Sequence, residues 1–485
     1  MNVVVAVAQF LVNEILSKPF YLVGLMTAVG LVALRRRLGE VVSGALKATM
    51  GFLILVVGAN TVVSALTPLG TMILGAVGAR GVVPTNEAIV ALAQKNYGAI
   101  VAWVMITGFG ISLLIARLTP LRYVFLTGHH VFFMATMLAV VLLSVNMPQV
   151  QAWIVGSLLL GTIMVIMPAF AQPWMRRVTG DQPVAIGHFG SLGYISAGIA
   201  GQLVGRRSES TENMRFPEGL RFLREPMIAT ALSMVVIYLV FAIAYLARAG
   251  QAAAIKVTGS QDWASYLMAS ILQALQFGVG VALILFGVRT ILGEIVPAFA
   301  GIAERIVPGA LPALDCPVSF PYAPNAVLVG FLASFLGGLL SLVAIAVAFH
   351  AWWGLALILP GMVPHFFTGG TAGVFGNATG GRRGAAVGGF VNGVLITFLP
   401  AFLLFVLGSL GFANTTFGDA DFAWYGIVVG NVVRLGPAVG IAGLAVVLLV
   451  LIALASLFQK RFVESGWTPG KPAETPGEAP AMAKA

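Results

Sequence analysis

The feature that most constrains this chain is a succession of apolar segments long enough to cross a lipid bilayer as helices. Because the hydrocarbon core of a bilayer is about 30 Å thick, a spanning helix needs roughly 20 mostly apolar residues. The candidate spans are 20–34, 41–66, 97–116, 123–146, 152–172, 227–248, 263–288, 327–350, 390–408 and 424–456. We therefore predict an all-α polytopic membrane protein, whose last span is broken at the sequence RLGPAVG.

The charged residues support this class and orient the chain. Only 9% of the 485 residues are charged, whereas soluble domains have about a quarter. The cations behind the net charge of +10 flank apolar segments, at Arg35–Arg37, Arg117, Arg122, Arg176, Arg177, Arg206 to Arg224, Arg382, Arg383, Lys460 and Arg461. Such flanking cations mark cytoplasmic ends and disfavour nucleic acid as a partner. They predict an outside N-terminus, a cytoplasmic C-terminus and about eleven crossings.

We expect no further domain at either terminus. The first twenty residues contain Glu14 and lack the basic n-region of a cleaved signal peptide. Residues 461–485 are rich in proline and alanine, which predicts a disordered cytoplasmic tail. The single cysteine, Cys316, excludes an intramolecular disulfide.

Four segments combine polar side chains with glycine or proline and differ from ordinary spans: 82–96, 184–204, 314–326 and 359–384. Non-helical backbone at membrane depth is tolerated only where protein or a water-filled cavity covers it. In transporters, interrupted segments in both halves of the chain indicate the binding site. We therefore predict re-entrant hairpins at 184–204 and 359–384, and a broken membrane helix at 314–326.

Ionisable residues within or beside apolar sequence are the candidate functional residues, because a charge at membrane depth is costly. Glu87 and Asp315 are such acids, although each would also suit a capping role at the start of a broken helix. His129, His130 and His188 follow glycines, and a neutral imidazole offers one donor and one acceptor to a hydroxyl-rich ligand. Histidines with an aspartate also form a metal-ligand set, but no HExxH-like pair is present, so no metal is expected.

Longer motifs show a family resemblance. The segments LTGHH, DQPVAIGHFGSLGY, RIVPGALPALDCPVSFPYAPNAVLVGF and ILPGMVPHFFTGGTAGVFGNATGGRRGA resemble the ascorbate-specific IIC permease of the bacterial sugar phosphotransferase system. The resemblance is collinear from about residue 15 to 460. It implies a homodimer in the bacterial inner membrane, with eleven transmembrane segments, an inverted repeat and two re-entrant hairpins per protomer. It also implies elevator-type transport, in which a core carries the sugar past a dimerising scaffold.

The resemblance implies a division of the chain and a set of partners. The division comprises scaffold helices at 1–66 and 226–300, core at 67–225 and 301–410, a last transmembrane segment at 411–460 and the tail at 461–485. A separate cytoplasmic IIB protein with a phosphocysteine, served by a IIA protein, would phosphorylate the sugar as it arrives. Cys316 is then not the phosphoryl carrier, and neither a catalytic nucleophile nor a cofactor is expected. The loop 205–225, through Arg206, Arg207 and Arg215, is the expected docking site for IIB.

The resemblance also assigns the substrate site. Its residues are Asn86, Glu87, His129, His130, Val131, Phe132, Phe133, His188, Phe189 and Asp315. This chain departs from the family at Asn86-Glu87, where a well-known form has Thr-Tyr, and at Phe133 and Phe189, where that form has glutamines. Because these changes add a carboxylate and remove hydrogen-bonding groups, a related sugar acid or a polyol joins L-ascorbate as a candidate substrate. The rings of Phe132, Phe133, Phe189 and Tyr194 would suit stacking on a ligand ring, but on base rates such residues more often face lipid or the protein core.

A second function class stays open at this stage. The same architecture would serve a secondary active transporter of a sugar acid or polyol, proton-coupled through Glu87 or Asp315 and independent of IIB. Uptake abolished by a protonophore would favour that class, whereas a neighbouring gene for a phosphorylatable IIB protein would favour the first. An intramembrane enzyme is disfavoured because the sequence has no nucleophile–base pair and no metal motif.

Overall fold

The computed structural model describes residues 19–205, 208–214 and 226–470, most of which are helical. Helices α1 to α13 are, in chain order, Pro19–Ala33, Leu38–Val77, Asn86–Leu118, Gly128–Ser144, Gln149–Thr179, Ser191–Val204, Pro226–Ala249, Gln251–Thr258, Trp263–Ile306, Pro324–Ala344, Gly370–Leu403, Ala420–Val433 and Pro437–Phe458. Short helical turns extend α10 to Trp353, lead into α11 from Met362, and extend α13 to Val463.

Eight helical stretches in the described residues are long and apolar enough to cross a membrane. They are Leu38–Val77, Asn86–Leu118, Gln149–Thr179, Ala231–Ala249, Gln251–Ile291, Pro324–Trp353, Met362–Val406 and Pro437–Val463. Shorter apolar helices, α4, α6 and α12, lie between them in the chain. The prediction of an all-α polytopic membrane protein is confirmed at this level.

Two small parallel sheets interrupt the helices, and the sequence did not predict them. Strands β1 to β6 are Gly81–Pro84, Tyr123–Phe125, Ala185–Ile186, Leu311–Leu314, Leu357–Ile358 and Thr415–Thr416. One sheet has the order β5-β1-β6 and the other the order β2-β4-β3. Each half of the chain therefore gives a central strand to one sheet and two edge strands to the other.

The sheets gather the starts of helices at the centre of the molecule. Each strand is followed within a few residues by a helix or helical turn: β1 by α3, β2 by α4, β3 by α6, β4 by the 3₁₀ turn Cys316–Tyr322, β5 by the turns that lead into α11, and β6 by α12. Because parallel neighbours end at the same edge of a sheet, the residues after the strands come together. Helix N-termini carry unpaired N–H groups and a partial positive charge.

The backbone of α11 reverses at Gly380–Gly381, where both residues leave the helical conformation and Gly381 has φ +58°. A Cβ atom at Gly376 would collide with the backbone of Gly384, yet these residues would be roughly 12 Å apart along a straight helix. The two parts of α11 therefore form a tight helical hairpin. Its tip lies inside the segment 359–384.

The structure differs from the expected spans where prolines and glycines interrupt apolar sequence. Segment 123–146, predicted as one span, is a strand, a turn and the 17-residue helix α4. Segment 184–204, predicted as a re-entrant hairpin, consists of β3, a turn and the single helix α6. Segment 82–96 contains most of β1 and the first turns of α3.

The predicted broken helix at 314–326 is wrong in its detail. Helix α9 already ends at Ile306, and Gly309 adopts φ +73°, so that β4 and a 3₁₀ turn precede α10. Pro317 and Pro321 lack backbone donors, which favours this short turn over a continuous helix. The break predicted at RLGPAVG is confirmed, because α12 ends at Val433 and α13 begins at Pro437.

Several predictions lie outside the described residues. They concern the N-terminal residues up to 18, the IIB-docking role of Arg206, Arg207 and Arg215, and the disorder of the tail from 471 onward. The first part of the predicted tail has defined contacts. The Trp467 ring packs against Trp174 at 5.8 Å, and its carbonyl accepts a hydrogen bond from Arg176.

Candidate functional site

A cavity of about 460 Å³ lies next to the ends of the two sheets, where helices begin after the strands. Seven of the ten residues that the sequence predicted for the site line it: Asn86, Glu87, His129, His130, Phe133, His188 and Asp315. The volume falls in the range of small-molecule sites, about 300–1,000 Å³. The fold thus brings together residues from four distant parts of the chain.

Short connections after the strands place the polar lining residues. Asn86 and Glu87 open α3 directly after β1, and His129 and His130 lie in the first turn of α4 after β2. The turn between β3 and α6 carries His188. The residue between β4 and its 3₁₀ turn is Asp315, whose side chain accepts a hydrogen bond from the Cys316 amide at 2.7 Å.

Asp315 lies between two histidines. One of its carboxylate oxygens is 3.4 Å from Nε2 of His129, and the other is 3.8 Å from Nε2 of His188. The Asp315 side chain is 39% exposed, so it remains accessible from the cavity. Nδ1 of His188 shares a hydrogen bond of 2.7 Å with the Tyr194 hydroxyl, which fixes the orientation of the ring.

His130 presents an N–H group to the cavity. Its Nδ1 accepts a hydrogen bond from the backbone N–H of Phe189 at 3.2 Å, so in the neutral ring Nε2 carries the proton. This Nε2 points toward a carboxylate oxygen of Asp419 at 3.9 Å. The ring centroids of His130 and His188 are 3.8 Å apart, which makes the histidines one packed group.

Asp419 is a lining residue that the sequence reasoning missed. The side chain of Asn86 connects to it, donating a hydrogen bond to the Asp419 carboxylate and accepting one from the Gly418 N–H, both at 2.7 Å. Only 4% of the Asp419 side chain is exposed. The motif TTFGDAD, a β-branched pair followed by a glycine and two acids, was the available signal. From the sequence alone, this stretch is interpreted as a connection between spans.

Asp421 supports the histidine loop without lining the cavity. Its carboxylate accepts hydrogen bonds from the N–H groups of Ser191 and Leu192, at 2.7 and 3.0 Å, and from the Trp424 indole at 3.0 Å. Its own N–H donates to the Phe189 carbonyl at 2.9 Å. Because these partners immediately follow His188, Asp421 holds that loop from β3 to α6 in place.

The Glu87 side chain is buried and incompletely bonded. The residue is 7% exposed, and its Oε2 has no hydrogen-bond partner within the part of the chain that the structure describes. Burying an unpaired carboxylate oxygen is costly. Glu87 Oε2 is therefore a cavity-lining acceptor to which a ligand hydroxyl can donate.

Three predicted residues are buried without lining the cavity: Val131, Phe132 and Phe189. The Phe189 ring stacks on Phe125 at 4.7 Å and packs against Phe422, so it belongs to the support of the site. A direct contact of these three with a ligand stays a prediction.

The opposite wall of the cavity comes mainly from α9. Its lining residues on this helix are Gly278, Val281, Ala282, Leu285, Phe286, Val288 and Arg289. Arg289 also lines a second, more open cavity of about 580 Å³, together with His129, Asp315 and Pro317. Sequence reasoning missed Arg289, although a lone cation inside the apolar run GVALILFGVRTILG was a visible signal.

The residues fit a hydroxyl-bearing ligand better than a metal ion. Among the residues that the structure describes, three groups are compact enough to ligate an ion: His129, His130 and Asp315; His130, His188 and Asp419; and His188, Asp315 and Cys316. The first two need a lone pair on Nε2 of His130, which carries a proton because Nδ1 is an acceptor. The third needs Cys316, which is fully buried and does not line the cavity.

Residues 14–421 match the model of a protein family described as the sugar-specific permease component of the phosphotransferase system, EIIC-GAT. The chain belongs to this family. The match includes every residue that lines the cavity, from Asn86 to Asp419. It confirms the resemblance that the sequence motifs showed.

One relative of the permease is the ascorbate-specific PTS system EIIC component of Mycoplasma pneumoniae, 25% identical over 439 residues. The alignment covers 81% of the permease but 66% of the relative, slightly less than two thirds of its length. The substrate in that name is the relative's own.

Proposed function

We propose that this permease is the IIC component of a phosphotransferase system and moves L-ascorbate, or a related sugar acid, inward across the bacterial cell membrane. Family membership and the eight apolar helices support the general role. The name of the Mycoplasma pneumoniae relative favours ascorbate among the possible sugars. The cavity supplies a compartment of suitable size.

The observation that carries the proposal is the position of Asp315 between His129 and His188, where several helices begin directly after the strands. The carboxylate accepts hydrogen bonds from sugar hydroxyls, and the imidazoles offer both donors and acceptors. N-termini of α3, α4, α6 and α12 favour an anionic ligand through their dipoles. A polyhydroxylated anion therefore matches the donors and acceptors of this wall.

Elevator-type movement accounts for the two unlike walls of the cavity. The polar wall belongs to the proposed core at 67–225 and 301–410, and the α9 wall to the proposed scaffold at 226–300. The pairing of Thr415 and Thr416 in β6 with β1 supports extending the proposed core beyond the boundary at 410. The exchange of strands between the sheets supports an inverted repeat. The remaining elements of the proposal are a homodimer with eleven crossings, re-entrant hairpins at 184–204 and 359–384, an outside N-terminus and a cytoplasmic C-terminus.

Phosphorylation by a partner would make transport one-way. A separate IIB protein with a phosphocysteine, recharged by IIA, would convert the sugar to its phosphate ester inside the cell. Because phosphoryl transfer would trap the product inside the cell, the permease would need no ion gradient. Cys316 is unsuited to carry the phosphoryl group because it is completely buried.

Reconstituted vesicles test the proposal. We expect uptake of radiolabelled L-ascorbate to require phosphorylated IIB on the cytoplasmic face and to yield the phosphate ester inside. Uptake by the permease alone that a protonophore abolishes would instead support a proton-coupled secondary transporter. Such a transporter would use Glu87, whose Oε2 has no hydrogen-bond partner within the described residues, or Asp315.

A further inference from the structure

The two walls of the cavity have opposite charge. The lining carboxylates of the described residues are Glu87, Asp315 and Asp419. All three lie on the polar wall, which is formed by the residues that follow the strands. Arg289 on α9 is the one lining residue with a permanent positive charge among those that the structure describes. A ligand in this cavity therefore meets a cation on one side and acids on the other.

Arg289 occupies a costly position for a cation. It lies well inside the 44-residue helix α9, in apolar sequence. It has no hydrogen bond or ion pair with the described residues, and its side chain is exposed toward the cavities that it lines. A charge at membrane depth without a protein partner indicates a functional contact.

Arg289 also marks the junction between the two cavities. The enclosed cavity and the more open one share Arg289, His129, Asp315 and Pro317. These four residues therefore lie where the two cavities adjoin. The guanidinium is thus placed to meet an anion, because it offers up to five N–H donors to oxyanions.

Glu87 and Asp419 line the first cavity but not the second, so they lie at the end away from the residues that the cavities share. Glu87 Oε2 has no partner within the described residues, and the buried Asp419 carboxylate has Asn86 as its nearest donor, at 2.7 Å. Ligand hydroxyls would supply the missing donors, whereas a ligand anion at this end would be repelled. The acids therefore select the uncharged end of a ligand.

We propose that Arg289 is a specificity-determining residue, which binds the negative end of a polyhydroxylated anion while Glu87 and Asp419 accept hydrogen bonds from its hydroxyl end. This inference rests on the proposed transport function, since it specifies how the sugar lies in the same cavity. It also explains how a site with three carboxylates accommodates an anion.

The test compares ligands that differ in charge at one carbon. D-gluconate and D-glucitol share a six-carbon hydroxylated chain, but only gluconate ends in a carboxylate. Their affinities, and that of L-ascorbate, are measured by isothermal titration on the purified full-length permease at neutral pH. The variants are Arg289→Gln, Arg289→Lys and the control Arg117→Gln, which changes an exposed arginine at the end of α3.

We expect the wild type to bind gluconate about tenfold more tightly than glucitol, as one charge-assisted contact provides. Arg289→Gln should remove this preference and leave glucitol binding unchanged. Arg289→Lys should keep part of it, and Arg117→Gln all of it. L-ascorbate should follow gluconate.

Three results would overturn the assignment: a preference that survives Arg289→Gln, an equal loss of both ligands in the two Arg289 variants, or a wild type that prefers glucitol. The ascorbate proposal fails separately. A wild type that binds gluconate but not L-ascorbate refutes that substrate, while the ratio of gluconate to glucitol still decides the role of Arg289. Binding of none of the three ligands would overturn both.

Discussion

The sheet β2-β4-β3 ends at three histidines and an aspartate, whereas the sheet β5-β1-β6 ends at an asparagine and two buried acids. The first, which we call the histidine sheet, places His129, His130, His188 and Asp315 at the cavity. The second, which we call the acidic sheet, places Asn86, Glu87 and Asp419 there. The two groups touch through His130 and Asp419, whose side chains approach to 3.9 Å.

This difference suggests that one sheet anchors any sugar and the other selects among sugars. Three of the four segments that carry the family resemblance, those with LTGHH, AIGH and LDC, lie at the histidine sheet, which also carries the departures at Phe133 and Phe189. The fourth begins at Ile358, in β5 of the acidic sheet. The acidic sheet carries the departure at Asn86-Glu87 and the unforeseen Asp419. We therefore expect changes on the histidine sheet to abolish binding of any sugar, and changes on the acidic sheet to alter which sugar is preferred.

The largest effect is expected at Asp315, the centre of the histidine sheet. The substitution Asp315→Asn removes the charge that faces both His129 and His188 but keeps the size of the side chain. Titration should show L-ascorbate affinity reduced about a hundredfold, as expected for two charge-assisted contacts. The control Asp262→Asn, at an exposed loop, should bind like the wild type. Unchanged affinity in Asp315→Asn would refute the site.

Asp421 tests whether the acidic sheet supports the histidine sheet. Asp421→Ala leaves the buried N–H groups of Ser191 and Leu192 and the Trp424 indole without their acceptor, which should cost roughly 2–4 kcal/mol of unfolding free energy. Because the loop after His188 loosens, sugar affinity should also fall about tenfold. Asp421→Asn keeps one acceptor oxygen and should recover part of both losses. Stability lost without any loss of binding would contradict the link to His188.

A matched pair of glycines separates the two sheets sterically. A Cβ at Gly187, beside His188, would meet the backbone of Ala313 in β4, whereas a Cβ at Gly418, beside Asp419, would meet a Pro364 ring carbon at 2.6 Å. Each alanine variant should cost about 1–3 kcal/mol of stability. Gly187→Ala should weaken L-ascorbate binding more than Gly418→Ala.

The control for this pair is Gly110→Ala, where an added Cβ meets nothing within 4 Å. It should be neutral or slightly stabilising, because alanine favours helix over glycine. A larger binding loss in Gly418→Ala than in Gly187→Ala would reverse the assignment of anchoring to the histidine sheet.

The smallest effect is expected at Glu87. Glu87→Gln removes a carboxylate but keeps a hydrogen-bond acceptor, so repulsion of an anionic ligand should decrease. We expect L-ascorbate to bind about two- to fivefold more tightly and D-glucitol to bind unchanged. The control is Glu40→Gln, because Glu40 is exposed and pairs with Arg36. It should change the affinity for neither ligand. Weaker binding of both ligands would indicate that Glu87 anchors every sugar.

The apolar runs made the membrane class predictable, because bilayer thickness fixes helix length directly. The strands were not predictable from pattern. Two to four residues show no alternating period, and β1 pairs with β5 and β6 some 276 to 332 positions away. Their partners are visible only after the chain has folded.

The site was predictable where a residue stands out locally. Histidines after glycines and Asp315 amid prolines are conspicuous in apolar sequence, and the cavity contains them. Asp419 and Asp421 lie in a polar connection, where acids are common, so their burial gave no local signal. Arg289 was overlooked because the cations were assigned to helix ends. Its side chain lines the cavity only because the folded chain places the polar wall opposite α9.

The most direct measurement of the central claim is an experimental structure of the permease with bound L-ascorbate. We expect ligand density inside the cavity between the two sheets and α9, with sugar oxygens within hydrogen-bond distance of Asp315 and His188. Density for the ligand at any other place on the protein, with this cavity empty, would contradict it.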